Sequence, residues 1–238
     1  MPVVELEVSI PQELSAIKLH QYQKYLSVAK NVDEDDKNNE FLNLKALEIF
    51  CGLSLKDSYN LPVSMFESVL KQLSECFEEK TDFVQRFKMT GSDGVTAEFG
   101  FIPNLDKMTF GEYIDLESYI TDWDNMHKAM AVMYRPIIGG KKHLYEIEPY
   151  EGSERWADVM KDAPVNVAMG ALVFFYRLGS KLSRYTMNSL LEEQEKKGNT
   201  ALKQVLEENG VGISQYMDLL EGMSTNLIQL QKFHYTPA

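Results

Sequence analysis

Apolar residues recur along this chain with two periods, and the switch between them divides it. Near the start, Val4, Leu6, Val8 and Ile10 fall on one side and Glu5 and Glu7 on the other, a period of two that predicts a half-buried strand. Pro11 then opens a predicted helix reaching about Lys30. Residues 31–40, NVDEDDKNNE, have no apolar period and carry like charges, so they read as a solvated linker. Helical spacing returns in FLNLKALEIF, which stops at Gly52, a residue suited to a left-handed C-cap. Another helix is predicted from Val63 to Glu79, with Phe66, Leu70, Leu73 and Phe77 on one face.

The pattern changes near residues 80–82, which suggests a division into 1–80, a strand plus helices that could serve as an interaction segment, and 81–238, the main domain. Two strand-like runs flank Gly-Ser-Asp-Gly at 91–94, which is hairpin chemistry. Thr109 and Glu112 then form a Thr-x-x-Glu capping box ahead of a helix whose expected inner face is Phe110, Tyr113, Leu116 and Ile120. Asp122 is placed to cap the next helix, with the stripe Trp123, Met126, Met130 and Met133 and an outer Asp124–Lys128 pair. Pro136 is expected to stop that helix and Arg135 to complement its C-terminus. A second hairpin is expected around Gly139 and Gly140, with Lys141 and Lys142 at its tip, followed by a short helix at Trp156. From Pro164 a stripe of Val165, Ala168, Leu172, Phe175, Gly179, Leu182, Thr186 and Leu190 predicts the longest helix, the central core element at its start and amphipathic toward Glu193. Helices over about 200–209 and 213–231 complete the chain. With no strand–helix–strand alternation, the expected class is α+β, predominantly helical.

Composition narrows the function. A formal net charge of -12 opposes the phosphate-gripping surface of a nucleic-acid binder, while permitting an anionic wall past which DNA slides without sticking. Cys51 and Cys76 are the two cysteines and form no Cys-x-x-Cys pair, so neither a disulfide framework nor a zinc knuckle is suggested, and the N-terminus carries no export signal, so folding in a reducing cytosol is expected. The most apolar run, VAMGALVFFY at 167–176, falls short of the roughly 20 residues that cross a bilayer and is expected to be a buried helix.

Candidate chemistry is sparse. No nucleotide-binding glycine loop, nucleophile elbow or His-Glu-x-x-His motif occurs. Asp122, Asp124 and His127, with Glu112 and Asp115 nearby, are the best cation candidates, against the reading that Asp122 is only an N-cap and the acids only favour the helix dipole. Asp33, Asp35 and Asp36 lie in a four-acid run whose members cannot all converge on one ion. His20, His127, His143 and His234 are scattered with no serine or cysteine partner, which makes them structural or surface residues. Tyr134–Arg135 reads either as an anion clamp or as a helix-terminal arginine beside a packed tyrosine. Twelve methionines, among them Met126, Met130, Met133, Met160, Met169 and Met187, either fill core gaps or form a docking face that repacks. No cofactor is expected.

Taken together, GFIPNLDKMTFGEYIDLESYITDWDNMHKAMAVMYRPI and VMKDAPVNVAMGALVFFYRLG resemble a family of tailed-bacteriophage neck and tail morphogenesis proteins, including those of crAss-like phages. The resemblance covers roughly residues 83–185 and rests on a helix start at Phe110 to Ile114, a helix end at Tyr134 to Pro136, and Phe174 with Phe175. It implies a protein that works by contact, and it carries over no catalytic residue. The implied role is a ring subunit between portal and tail, made in the host cytoplasm and kept in the virion, with copies of itself and other portal, neck or tail proteins as partners, DNA only as passing cargo, and no membrane. Interface candidates are Met126, Met130, Met133, Tyr134, Arg135, Lys141 and Lys142, with the acidic Asp33, Asp35 and Asp36 offered to a neighbour's lysines. The alternatives are a tail-assembly factor absent from the particle and, in another class, a metal-dependent hydrolase around Asp122, Asp124 and His127.

Overall fold

The computed structural model describes residues 8–31, 40–90, 96–141 and 144–178. Its elements run α1 (Leu19–Ala29), α2 (Glu40–Cys51), α3 (Leu55–Tyr59), α4 (Val63–Phe77), β1 (Arg86–Thr90), β2 (Thr96–Phe101), α5 (Phe110–Tyr119), α6 (Met126–Met133), β3 (Tyr134–Lys141), β4 (Leu144–Ile147), α7 (Glu154–Met160) and α8, helical over 165–178. The fold is α+β and predominantly helical, with one antiparallel sheet in the order β1-β2-β3-β4. Among the described residues no helix is long and apolar enough to cross a membrane.

α6 is the hub, for a reason visible in its composition. Met126, Ala129, Met130, Ala131, Val132 and Met133 are all buried, and three unbranched thioethers conform to the uneven gaps between helices and sheet better than branched chains do. Trp123, in the turn before it, meets Tyr22 of α1 edge-on at 5.0 Å, which ties the N-terminal helices to the hub. The inner face of the sheet supplies Phe87, Phe99, Phe101 and Tyr134, and the Tyr134 hydroxyl donates to the Val84 carbonyl at 2.7 Å so that its polar end is satisfied inside the core. Residues on both sides of 80–82 share one buried cluster, Leu47 and Leu73 with Phe99 and Met130.

The start of α8 packs as expected, with Val165, Val167, Ala168, Met169, Ala171 and Leu172 buried. Its fit depends on Gly170, where a Cβ would sit 2.3 Å from the Asp82 carbonyl oxygen, so only a bare Cα lets the helix lie against the 82–83 backbone. On the outer face of the sheet Gly100 plays a similar part: a Cβ there would meet the Tyr145 ring at 2.4 Å, and Tyr145 lies across the glycine with its hydroxyl donating to the Phe101 carbonyl at 2.7 Å.

Several expectations held. Gly52 ends α2 at φ 70°, the helix begun at Val63 ends close to its predicted stop, both hairpins form, and the short helix contains Trp156. Others did not. Residues 8–10 form no strand, and the segment after Pro11 is a single 3-10 turn (Leu14–Ala16) before α1 begins at Leu19, because residues 17–20 are committed to 161–165 instead: Leu19 N donates to the Ala163 carbonyl and Val165 N to that of Ile17. The helix α3 was not foreseen, although Ser54 caps it through the Asp57 amide. Pro136 does not terminate the helix, which ends at Met133; the proline lies in β3 opposite Phe99. Most of the predicted N-terminal strand, most of the acidic linker, the first hairpin turn, and everything expected beyond residue 178 lie outside the described residues.

Gly170→Ala is expected to destabilise the fold by about 1–3 kcal/mol through overpacking against backbone that cannot yield. Gly111→Ala in α5, whose new methyl would find its nearest neighbour at an ordinary 3.8 Å, should instead stabilise by up to about 1 kcal/mol. Urea denaturation of both variants checks the pair.

Candidate functional site

The most constrained polar cluster is built where α5 meets β3. The Thr109 hydroxyl caps α5 by accepting from the Glu112 amide at 3.3 Å, and Glu112 Oε2 returns the contact by accepting from the Thr109 amide at 2.6 Å and hydroxyl at 2.8 Å. The other carboxylate oxygen faces Arg135 Nη2 at 2.5 Å, and both side chains are more than nine-tenths buried. Burial alone would raise the Glu112 carboxyl; the Thr109 donors and the Arg135 guanidinium outweigh it and hold the group below its ordinary range. The guanidinium lies over the Tyr150 ring at 5.3 Å, and the Tyr150 hydroxyl, pushed up by burial and by its bond to Asp115, donates to that carboxylate. Arg135 Nε and Nη1 have no partner among the described residues.

This geometry corrects two expectations. Arg135 does not cap a helix C-terminus, since it stands in β3, and the anion it clamps is the chain's own Glu112. The inner face of α5 is Glu112, Leu116 and Ile120, so Phe110 and Tyr113, expected inside, point out together with Ile114. At 3.6 residues per turn, anchoring Glu112 inward turns positions 110, 113, 114 and 117 to solvent. The sequence showed the capping-box glutamate but not its buried partner in β3, and it is that partner which fixes the way the helix faces.

The remaining candidates fall in separate places. Asp122 accepts from the Asp124 amide and from Asn125 Nδ2, at 3.0 and 2.7 Å. Asp124 belongs to a 3-10 turn, so its expected partner Lys128 is out of register; Asp124 pairs with Lys30 at 2.8 Å and Lys128 with Glu154 at 2.9 Å. The Gln23 amide nitrogen donates to His127 Nδ1 at 3.1 Å, and burial, then Lys161 and Lys128, hold that imidazole below its usual range. No group of three His, Cys, Asp or Glu among the described residues is disposed to hold a metal ion. His20 Nδ1 lies 3.0 Å from the Lys161 carbonyl. Cys51 and Cys76 are buried thiols pushed up to about 11 by burial, poor nucleophiles at neutral pH.

As docking residues, Met126, Met130, Met133 and Tyr134 are corrected: each is fully buried, and Met160 and Met169 are buried with them. The exposed apolar side chains lie elsewhere. Phe110 is 79% exposed on α5, beside Tyr113 and Ile114. Ile138 and Leu144, 62% and 80% exposed, flank the tip of the β3–β4 hairpin with the exposed Lys141. Tyr59 at the end of α3 and Val63 and Met65 in the first turn of α4 are exposed as well. Lys142, Asp33, Asp35, Asp36, His143, His234 and Met187 lie outside the described residues. An open groove of about 310 Å³ runs between Phe83, Phe101, Asn104 and Phe174; among the described residues Asp106 is the one titratable group lining it, so these residues assemble no nucleophile and base there.

Glu112→Gln is expected to cost about 3–5 kcal/mol, because it strands the buried Arg135 charge; combining it with Arg135→Met should cost less than the sum of the two single changes. The folded carboxyl titrates below its unfolded value, so its contribution is present above the unfolded value of about 4.3 and is lost as pH falls through the lower folded one; thermal melts of Glu112→Gln should therefore show a shallower acid limb than wild type. Added Mg²⁺, Mn²⁺ or Zn²⁺ should leave the melting temperature unchanged, since Asp122, Asp124 and His127 are held by separate partners.

Comparison of the chain with protein-family models, with curated proteins and with solved structures finds no match in any of the three.

Proposed function

We propose that this chain is a structural subunit of a tailed-phage neck or tail, placed in a ring between portal and tail and acting through protein–protein contacts. The observation that carries the reading is the inverted polarity of α5. A ten-residue helix turns its carboxylate Glu112 inward onto Arg135 and leaves Phe110, Tyr113 and Ile114 on the outside. Exposed large apolar groups gathered on one rigid helix face mark a contact surface more often than a catalytic one. The face lies within the segment that resembles neck and tail morphogenesis proteins, and the motif carrying that resemblance, Phe110 to Ile114, is the same stretch that supplies the exposed side chains.

Two further features support contact over catalysis: the Glu112 carboxylate is engaged by Thr109 and Arg135 of its own chain, and among the described residues the groove beside Phe174 presents a single titratable side chain, Asp106. A net charge of -12 suits a lumen that DNA traverses without adhering.

Quantitative mass spectrometry of purified particles from the encoding phage is expected to recover the chain at a fixed multiple equal to the copy number of a ring. Its absence from finished particles, with abundance in infected cytoplasm, would replace the structural reading with a transient assembly role.

A further inference from the structure

We propose that Gln23 and His127 form a proton-operated latch between α1 and the first turn of α6, closed while the imidazole is neutral and opened when a proton occupies Nδ1. The inference stands apart from the neck or tail reading.

Hydrogen bonding decides which atoms face each other. Gln23 Nε2 lies 2.7 Å from the Trp123 carbonyl oxygen, 3.2 Å from that of Asp124 and 3.1 Å from His127 Nδ1. Backbone carbonyls only accept, so the amide must turn its nitrogen to this corner and its own oxygen away. A donor facing Nδ1 needs a lone pair there, which selects the Nε2–H tautomer of His127. The next proton the ring takes therefore enters at Nδ1 and sets N–H against N–H. Either the ring leaves the corner or the amide does; an amide that flips to offer its oxygen to Nδ1–H gives up the Trp123 carbonyl. The junction has little polar surplus to absorb that loss, since Trp123 Nε1 is already buried with no hydrogen-bond partner among the described residues.

The charges around the ring keep the latch closed at neutral pH. On α6, Lys128 pairs with Glu154 of α7 at 2.9 Å; beyond α7, Lys161 pairs with Asp158 at 2.7 Å. Burial and the two lysines outweigh the two acids and hold the half-buried imidazole below its usual range. From α1, Lys30 is committed to Asp124, and His20 Nδ1 lies 3.0 Å from the Lys161 carbonyl and 3.6 Å from Asp162. Asp122 is engaged by the Asp124 amide and Asn125. The folded ring binds its proton less readily than the unfolded one, so the latch contributes in full above about 6.5 and is lost as pH falls through the lower folded value. The loss begins about two pH units above that of Glu112. Gln21 on the Ile49 carbonyl, Tyr22 against Trp123 and Lys30 on Asp124 still hold α1, so the opening is local.

The test is nitrogen-15 NMR of the histidine rings together with amide exchange, both on the full-length chain. At neutral pH the His127 ring should show a protonated Nε2 and a bare Nδ1, with a midpoint below about 6.5. One pH unit below that midpoint, α1 amides near Gln23 should open on the order of fivefold more readily than at neutral pH, after correction for intrinsic exchange, while α4 is unaffected. His127→Leu should abolish the response and His20→Gln should retain it. Gln23→Glu, which gives Nδ1–H an acceptor, should raise the His127 midpoint above about 6.5. An Nδ1–H tautomer, a wild-type midpoint at or above the ordinary value, or α1 exchange indifferent to pH would each overturn the latch. So would a response that survives His127→Leu or vanishes in His20→Gln, or a Gln23→Glu midpoint no higher than that of wild type.

Discussion

The buried Glu112–Arg135 contact is the interaction on which the rest of the outer surface depends. An ion pair taken out of water is a poor source of net stability, because desolvation of both groups offsets most of their attraction. Its value lies in intolerance: any rotation of α5 that separates the pair leaves a charge stranded in the core. The helix is therefore held in one orientation, and the capping box at Thr109 and the Tyr150 ring over Arg135 tighten that choice. A helix bound only through Leu116 and Ile120 would have the option of rolling Phe110 and Tyr113 toward the core.

Orientation in turn decides what the molecule shows to its surroundings. The sequence left Met126, Met130 and Met133 open between core and docking roles and placed Phe110 and Tyr113 on an inner face; the fold draws the α6 methionines fully inside and holds the α5 aromatics out. The exposed apolar side chains of α5 are thus carried by a rigid element, backed by a charged lock, while Ile138 and Leu144 stand exposed on the β3–β4 hairpin.

Legibility in the sequence followed locality. The α6 stripe, the Asp122 cap, the Thr109 box and the turn at Gly52 are set within one or two helical turns, and each could be read from spacing alone. The face of α5 was misread because Phe110, Tyr113, Leu116 and Ile120 also fit a helical stripe, and what overrides that stripe is an arginine in a distant strand. Helix α1 starts late for the same kind of reason: Lys18 bridges Pro164, a pairing no local pattern encodes. The Asp124–Lys128 pairing failed on a detail of geometry, the tighter turn at Trp123–Asn125, which shifts Asp124 toward Lys30. Of the interface candidates, Lys141 alone is both described and exposed; the hydrophobic ones were drawn from a stripe whose regularity marked it as core.

The methionine hub has a chemical corollary. Among the described residues Met126, Met130 and Met133 are sealed from solvent whereas Met65 is 56% exposed, so peroxide reaches Met65 before the hub, which it meets only after the fold has opened. A sulfoxide formed during such an opening is polar and bulkier than the sulfur it replaces, and it no longer fits among Trp123, Tyr134 and their neighbours. Oxidation of the hub is consequently a ratchet: blocked while the fold is closed, and self-locking once the centre has been breached.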